Sequence, residues 1–316
     1  MLAGIEYGGM NFDELVTAYG GVVSTAQLLR TGESERDIAE AVSTGILRRL
    51  RHGWYATSDA DEPVVGAVER GGVASCLFAL RRSKIWVPGE DVDEIHSRVT
   101  RYGQRRHGNE CRRYGRPTPP DGAVDDIATS LQYAARCLDD EGFIVVCDSI
   151  ANKRLMTLDE IERQFAHAPR RILSLIQQCD ARADSGIETM VRKRLRGEGF
   201  KVTPQYKVAE GLHADLLVGE RLALEIDGRA YHVEEGNYEY DRWRDRQYLK
   251  RGVIPSHLSY QQVVYHWPAT FSDIQAICKT RLHRDRRAME ALRRLRAGAG
   301  QEDLGPDFML GDDPPW

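Results

Sequence analysis

Asp215 stands ten residues before Glu225, and Asp227 follows two positions later. The three carboxylates fall in or beside two apolar runs, 216–218 and 222–226, that flank Gly219, Glu220 and Arg221. Short apolar runs around a glycine-bearing turn predict a β-hairpin. Strand alternation puts Glu225 and Asp227 on one face and Leu222, Leu224 and Ile226 on the other. A three-residue loop pairs Val218 with Leu222, which sets Asp215 across from Glu225. Three like charges on one sheet face repel one another unless a cation neutralises them. That is the chemistry of a divalent-metal phosphodiesterase, and the bland alternative is an edge strand with a solvated polar face.

The elements that would hold these acids can be read on either side. Ser185 opens a helix with Ile187, Met190, Val191 and Leu195 as its apolar stripe. Glu188 is either the third helical residue of a capping box or a carboxylate at the edge of that stripe. Residues 200–206 read as a first strand, interrupted by Pro204 and therefore at a sheet edge. Gly228, Tyr231 and His232 follow the hairpin. A helix is predicted over 238–251, with Asp241/Asp245 and Arg242/Arg246 each one turn apart, a pattern that a salt-bridged solvent face explains cheaply. Residues 253–258 form a further short strand.

Upstream, residues 1–60 carry three short helical patterns. Their start signals are Asn11 with Glu14, Ser24 with Gln27, and Ser34 with Asp37. A small basic hairpin with Arg48, Arg49, Arg51 and His52 turns at His52-Gly53. Three helices and a basic hairpin are the layout of a winged helix-turn-helix, with the third helix in the major groove and the hairpin against phosphates. A helical protein–protein module is the alternative. Residues 61–181 read as a connector of mixed helical and strand character: two helices split by Gly71-Gly72, a strand at 95–99, and helices over 124–138, 157–165 and 169–179. Residues 143–147 suit a buried strand or a helix start. Residues 98–116 hold seven arginines and His107 against the single acid Glu110. Arg105, Arg106, Arg112 and Arg113, with Tyr102 and Tyr114 interleaved, are candidate phosphate contacts, since guanidinium groups displace counterions from a nucleic-acid backbone.

The chain has 316 residues, 41% of them hydrophobic, and a net charge of −4 that hides this local segregation. Its six cysteines show no CxxC pair and no Cys/His zinc spacing, so neither zinc nor a disulfide framework is expected, and a reducing cytoplasm fits. No run of 18 apolar residues and no signal-like start occurs, so no membrane partner is expected. Residues 286–296 read as a basic helix, and 301–316 as an acidic flexible tail.

Two resemblances add to this. The stretch GVVSTAQLLRTGESERDIAEAVSTGILRRLRHGWYAT resembles the N-terminal domain of AbiEi-family antitoxins, a winged helix associated with operator binding. Ser185-x-x-Glu188, the Asp215 strand, Glu225-x-Asp227-Gly228, His232 and Asp241-Arg242-x-Arg244-Asp245 resemble the very-short-patch-repair-like branch of PD-(D/E)XK nucleases. The second resemblance implies an α/β (α+β) domain over 182–285, a restriction-endonuclease-like mixed sheet flanked by helices. It also implies Mg²⁺-dependent (or Mn²⁺-dependent) phosphodiester hydrolysis. Asp215 and Glu225 would be metal ligands, and Asp227 would share a second metal or orient the attacking water. Glu188 would be a helix-borne acid that binds or orients metal or water, and His232 an acid/base or phosphate contact. The usual lysine beside Glu225 is Asp227 here. Arg242, Arg244 and Lys250 are the candidates for its role, with Arg244 first. The zinc cysteines of mismatch-repair nickases are absent, so mismatch specificity is not carried over. The expected function is a DNA endonuclease or nickase acting on double-stranded DNA, in bacterial or phage defence. The alternatives are a non-catalytic antitoxin-like regulator and an RNA-directed nuclease toxin. A double-strand cut from one site per chain would imply a homodimer.

Overall fold

Helix starts are fixed by side chains. Ser24, Ser34 and Thr157 each accept from the backbone N–H three residues on, at 3.2 Å, and Gln27, Asp37 and Glu160 return a bond to the cap N–H. Each reciprocal pair satisfies donors that the first helical turn leaves open. The computed structural model describes residues 12–89, 96–99, 110–228, 235–280 and 282–284. Asn11, Tyr102, Arg105, Arg106, His107, Tyr231, His232 and the tail from 285 onward lie outside the described residues. The chain mixes helices with sheets, an α/β architecture, and divides into two units, residues 1–189 and 190–316.

The first unit begins α1 (Phe12–Ala18), β1 (Val22–Ser24), α2 (Thr25–Arg30), α3 (Glu35–Ser43), β2 (Arg48–Arg51), β3 (Trp54–Ala56). Its antiparallel sheet has the order β1-β3-β2. Leu15, Val23, Leu28, Ile38, Ala41 and Leu47 form the core beneath the three helices. The chain continues with α4 (Glu62–Glu69), β4 (Gly72–Ala74), α5 (Cys76–Arg82) and β5 (Ser97–Val99). Val22 and Ala56 pack with Val64, Val68, Ala74 and Ala123, so residues before and after position 60 share one core. A strand therefore occupies the break expected between two helices at 71–72. Gly72 permits it, since a Cβ there would lie 2.4 Å from the Arg98 carbonyl oxygen.

Five helices complete the unit: α6 (Ile127–Ala134), α7 (Asp140–Asn152), α8 (Leu158–Gln164), α9 (Arg170–Ile176) and the start of α10 (Gly186–Gly197). Residues 143–147, open between strand and helix in the sequence, lie inside α7. All five are buried, which removes the amphipathic period that would have marked a helix. Phe143, Ile144, Val146 and Ile150 pack with Leu131, Ile161, Phe165 and Ile172 in the largest core.

The second unit continues α10 into β6 (Val202–Ala209), β7 (Leu212–Val218), β8 (Leu222–Asp227), α11 (Glu235–Lys250), β9 (Ile254–Ser259), α12 (Tyr260–Val264) and α13 (Trp267–Lys279). The sheet order is β6-β7-β8-β9. β6, β7 and β8 run antiparallel, whereas β9 lies parallel to β8. Parallel neighbours need a crossover, and α11 supplies it. The strand bearing Pro204 sits at the sheet edge, as expected. Tyr248 of α11 shares a core with Leu212, Ala214, Leu217 and Ala223 of the sheet.

Among the described arginines of the 98–116 stretch, Arg98 turns inward. It is 2% exposed. Its guanidinium forks onto Asp125, with Nε to Oδ2 at 2.5 Å and Nη2 to Oδ1 at 2.7 Å, while Nη1 donates to the Thr118 carbonyl at 2.8 Å. Removing one partner of a buried pair strands the other charge. Asp125→Ala is therefore expected to cost roughly 3–5 kcal/mol in urea unfolding, and Asp125→Ala with Arg98→Met to recover much of it. A loss below about 0.5 kcal/mol, the size of an ordinary surface substitution, would contradict this placement.

Candidate functional site

β8 is an interior strand, paired to β7 on one side and β9 on the other, and Leu222 through Ile226 are all buried. This excludes the reading of β8 as a solvated edge strand. The register is Val218↔Leu222, Leu217↔Ala223 and Leu216↔Leu224, so the three-residue loop fixes the pairing that the sequence predicted. Gly219, at φ +68°, makes the turn. Beyond the last pair, the Ile226 N–H donates to Asp215 Oδ2 at 2.8 Å. The Asp215 carboxylate thus takes the place of a backbone acceptor and lies against β8 beside Glu225.

Glu225, 4% exposed, has a partner on each oxygen. Arg244 Nη2 donates to Oε2 at 2.7 Å, and the Tyr248 hydroxyl lies 2.8 Å from Oε1. Arg244 Nη2 also reaches Tyr248 Oη at 3.1 Å and the His213 carbonyl at 3.2 Å. Tyr248 Oη is 2.6 Å from that same carbonyl. The two donors sit one helical turn apart on α11, so a single helix face delivers both. Burial acts to lower the Arg244 guanidinium, but the Glu225 charge and the neighbouring tyrosines outweigh it and shift it upward. Burial first, and the Glu225 charge second, push the Tyr248 phenol up. Both groups stay protonated at neutral pH.

Asp227, half-buried at the end of β8, differs. Its carboxyl is pushed up chiefly by burial, pulled back by His257, pushed further by Asp241 and pulled back by Arg244. His257 stands on β9 directly opposite Glu225, and its Nε2 lies 3.0 Å from Asp245 Oδ1. Asp245 Oδ2 is 3.4 Å from Arg242 Nη1, the local ion pair that the charge pattern suggested. Arg244 instead turns inward from the same charged run.

Carboxylate oxygens are hard donors suited to Mg²⁺ or Mn²⁺. Glu225 already has a cation in Arg244. Glu225 serves as the anchor of Arg244, and Asp215 and Asp227 remain as the acids of the motif that Arg244 does not bond. Glu188 lies on α10 in the first unit. Its Oε2 accepts from Asp184 N–H at 3.0 Å, and its own N–H donates to Ser185 Oγ at 3.2 Å. Both bonds tie it to the start of α10. Among the three basic residues suggested for the lysine's place, Arg244 meets Glu225.

The candidate nucleic-acid contacts are placed unevenly. Arg49 and His52 are exposed on the β2–β3 hairpin. Arg48 reaches Glu69 at 3.4 Å, and Arg51 stacks over Trp54 at 5.2 Å. On α3, Glu35, Asp37 and Glu40 are exposed against Arg36. Arg112 is exposed, and Arg113 lines a cleft of about 430 Å³ with Arg116, His167 and Gln132.

Sequence reading missed Tyr248, His257 and a meeting of Cys76, His96, Cys111 and Cys137 in the first unit. Tyr248 carried no signal beyond its spacing of four from Arg244. His257 could have been found from the parallel pairing of β8 and β9. The cysteines come from separate elements, which is why no local spacing betrays them.

For a carboxyl whose folded-state pKa is raised, stability is lost as pH rises past the unfolded value, and the loss is absent when both states are protonated. Asp227→Asn should therefore raise the thermal midpoint above wild type at pH 7, and the gain should vanish below about pH 3–4. A variant less stable than wild type at pH 7 would contradict the assignment. No family model matches this chain, and no curated protein matches it either.

Proposed function

We propose that the chain is a DNA-directed phosphodiesterase, an endonuclease or nickase, whose reaction centre is built by β7, β8 and α11. The observation that carries this reading is the Arg244 guanidinium, 2.7 Å from the buried Glu225. It puts a permanent cation beside the acid of the nuclease-like motif that lacks its usual lysine. The succession α10-β6-β7-β8-α11-β9, with only the last strand parallel, supports a restriction-endonuclease-like core. The succession α1-β1-α2-α3-β2-β3, with the sheet order β1-β3-β2, supports a winged helix-turn-helix.

A Mg²⁺ or Mn²⁺ ion held by Asp215 and Asp227 would polarise a phosphoryl oxygen and lower the pKa of a bound water. The remaining work falls to the chain. Arg244 cannot act as a base, because its guanidinium is locked in the charged state by Glu225. Its part is to stabilise negative charge developing on the phosphoryl oxygens, from a position fixed before substrate arrives. Asp227 orients the attacking water from the end of β8. Proton return to the leaving oxygen falls to an imidazole: His257, held by Asp245, or His232 in the stretch 229–234.

Delivery to double-stranded DNA is assigned to the β2–β3 hairpin through Arg48, Arg49 and His52. The exposed side of α3 is acidic and would be repelled by phosphates, so the hairpin rather than α3 is the favoured contact. One observation favours a second reading, a non-catalytic DNA-binding regulator: both oxygens of Glu225 are already engaged.

The deciding experiment incubates full-length protein with supercoiled plasmid and Mg²⁺ or Mn²⁺. Wild type is expected to nick or linearise it, Asp215→Asn and Asp227→Asn to slow cleavage about 100-fold, and chelation to abolish it. Equal cleavage by all three proteins would remove the assigned site. No cleavage together with salt-sensitive plasmid binding would establish the regulator reading, and cleavage of structured RNA alone the RNA-directed one.

A further inference from the structure

Cys76, His96, Cys111 and Cys137 each offer one ligand atom, and these four atoms all lie within 4.8 Å of one another. Their meeting is built by the backbone. β4 and β5 pair antiparallel with Ala74 opposite Ser97, and just past that pair the Ser75 N–H donates to the His96 carbonyl at 2.9 Å. Cys76 and His96 therefore leave the ribbon side by side. The Cys111 N–H donates to the Ser97 carbonyl at 2.9 Å, which lays a third ligand alongside. Cys137 follows α6, whose Leu131 and Ala134 share a core with Leu77 and Leu80 of α5. Cys76 and Cys111 are buried, and His96 Nδ1 lies 3.3 Å from Cys111 Sγ. Cys76 adopts φ +56°, a conformation that side-chain-bearing residues seldom take.

A Cys111–His96 dyad would explain two of the four groups. A disulfide would explain two and leave a cysteine and the histidine over, and the cysteines are free thiols. A tetrahedral ion accounts for all four. Zinc holds thiolates at about 2.3 Å and imidazole at about 2.0–2.1 Å, which puts neighbouring ligand atoms roughly 3.5–4 Å apart. Three sulfurs and one nitrogen suit zinc and disfavour a hard ion such as Mg²⁺. We propose that Cys76, His96, Cys111 and Cys137 form a structural Cys₃His zinc site in the first unit. Four protein ligands fill the coordination shell and leave no position for substrate or water. Zinc there ties α5, the start of β5, the Cys111 segment and the end of α6 to one point. It also closes the sequence between His96 and Cys111, which contains Arg98, Arg101, Arg105 and Arg106. The four ligands are spaced 20, 15 and 26 residues apart, so they carry none of the local pairs by which zinc is recognised in a sequence.

Elemental analysis of the full-length chain, purified without chelator and freed of any metal-binding tag, tests this directly. Wild type is expected to carry about one zinc per chain, Cys111→Ser and Cys137→Ser to lose most of it, and Cys278→Ser to keep it. Because a ligand variant can fail to fold, wild type is also reconstituted with Co²⁺. A tetrahedral thiolate site then gives intense visible d–d bands and a near-ultraviolet thiolate-to-cobalt charge-transfer band. Wild type without zinc and without that cobalt spectrum would overturn the proposal. So would zinc retained in full by Cys111→Ser and Cys137→Ser.

Discussion

A carboxylate buried in the middle of a sheet has to be given a countercharge, and in the second unit that carboxylate is Glu225. Leaving it unpaired among Leu222, Ala223, Leu224 and Ile226 would cost several kcal/mol. Arg244 and Tyr248 provide the partners because the parallel pairing of β8 with β9 requires a crossover, and α11 is that crossover. One acid on one strand thus fixes the face that the helix turns to the sheet. The pair adds little net stability by itself, since desolvation offsets most of the attraction. Its effect is positional: a charged guanidinium is held at the end of the strand that carries Asp227.

The same pairing divides the acids by function. Glu225 is neutralised from within. Asp215 lies against the β8 backbone, and Asp227, pushed toward its protonated form mainly by burial, lies at the strand end near Asp241. Three acids that look equivalent in the sequence therefore meet three environments.

The hairpin register was legible because loop length and the period of two leave one solution, and Pro204 marked the edge strand by its missing N–H. The capped helices were legible because their signals are local. Arg244 stands first among the residues suggested for the missing lysine, for its place beside Asp245, yet it is Arg242 that pairs with Asp245 while Arg244 turns inward to Glu225. His257 was hidden because its neighbour Glu225 lies across a parallel ladder, 32 residues away in sequence. Residues 143–147 lost their period to complete burial. The cysteine cluster was invisible for the opposite reason: every ligand comes from a different element, so only the folded backbone brings them together. The absence of zinc expected from spacing was an inference from local pairs, and the four side chains are not a local pair.

The central claim is that Arg244 acts on the substrate as a fixed charge and is more than a structural brace for Glu225. Plasmid cleavage by Arg244→Lys and Arg244→Met, each assayed below its own melting transition, tests it most directly. Charge without the planar fork should retain part of the activity, and the neutral variant should lose about 100-fold or more. Wild-type cleavage by folded Arg244→Met would contradict the account.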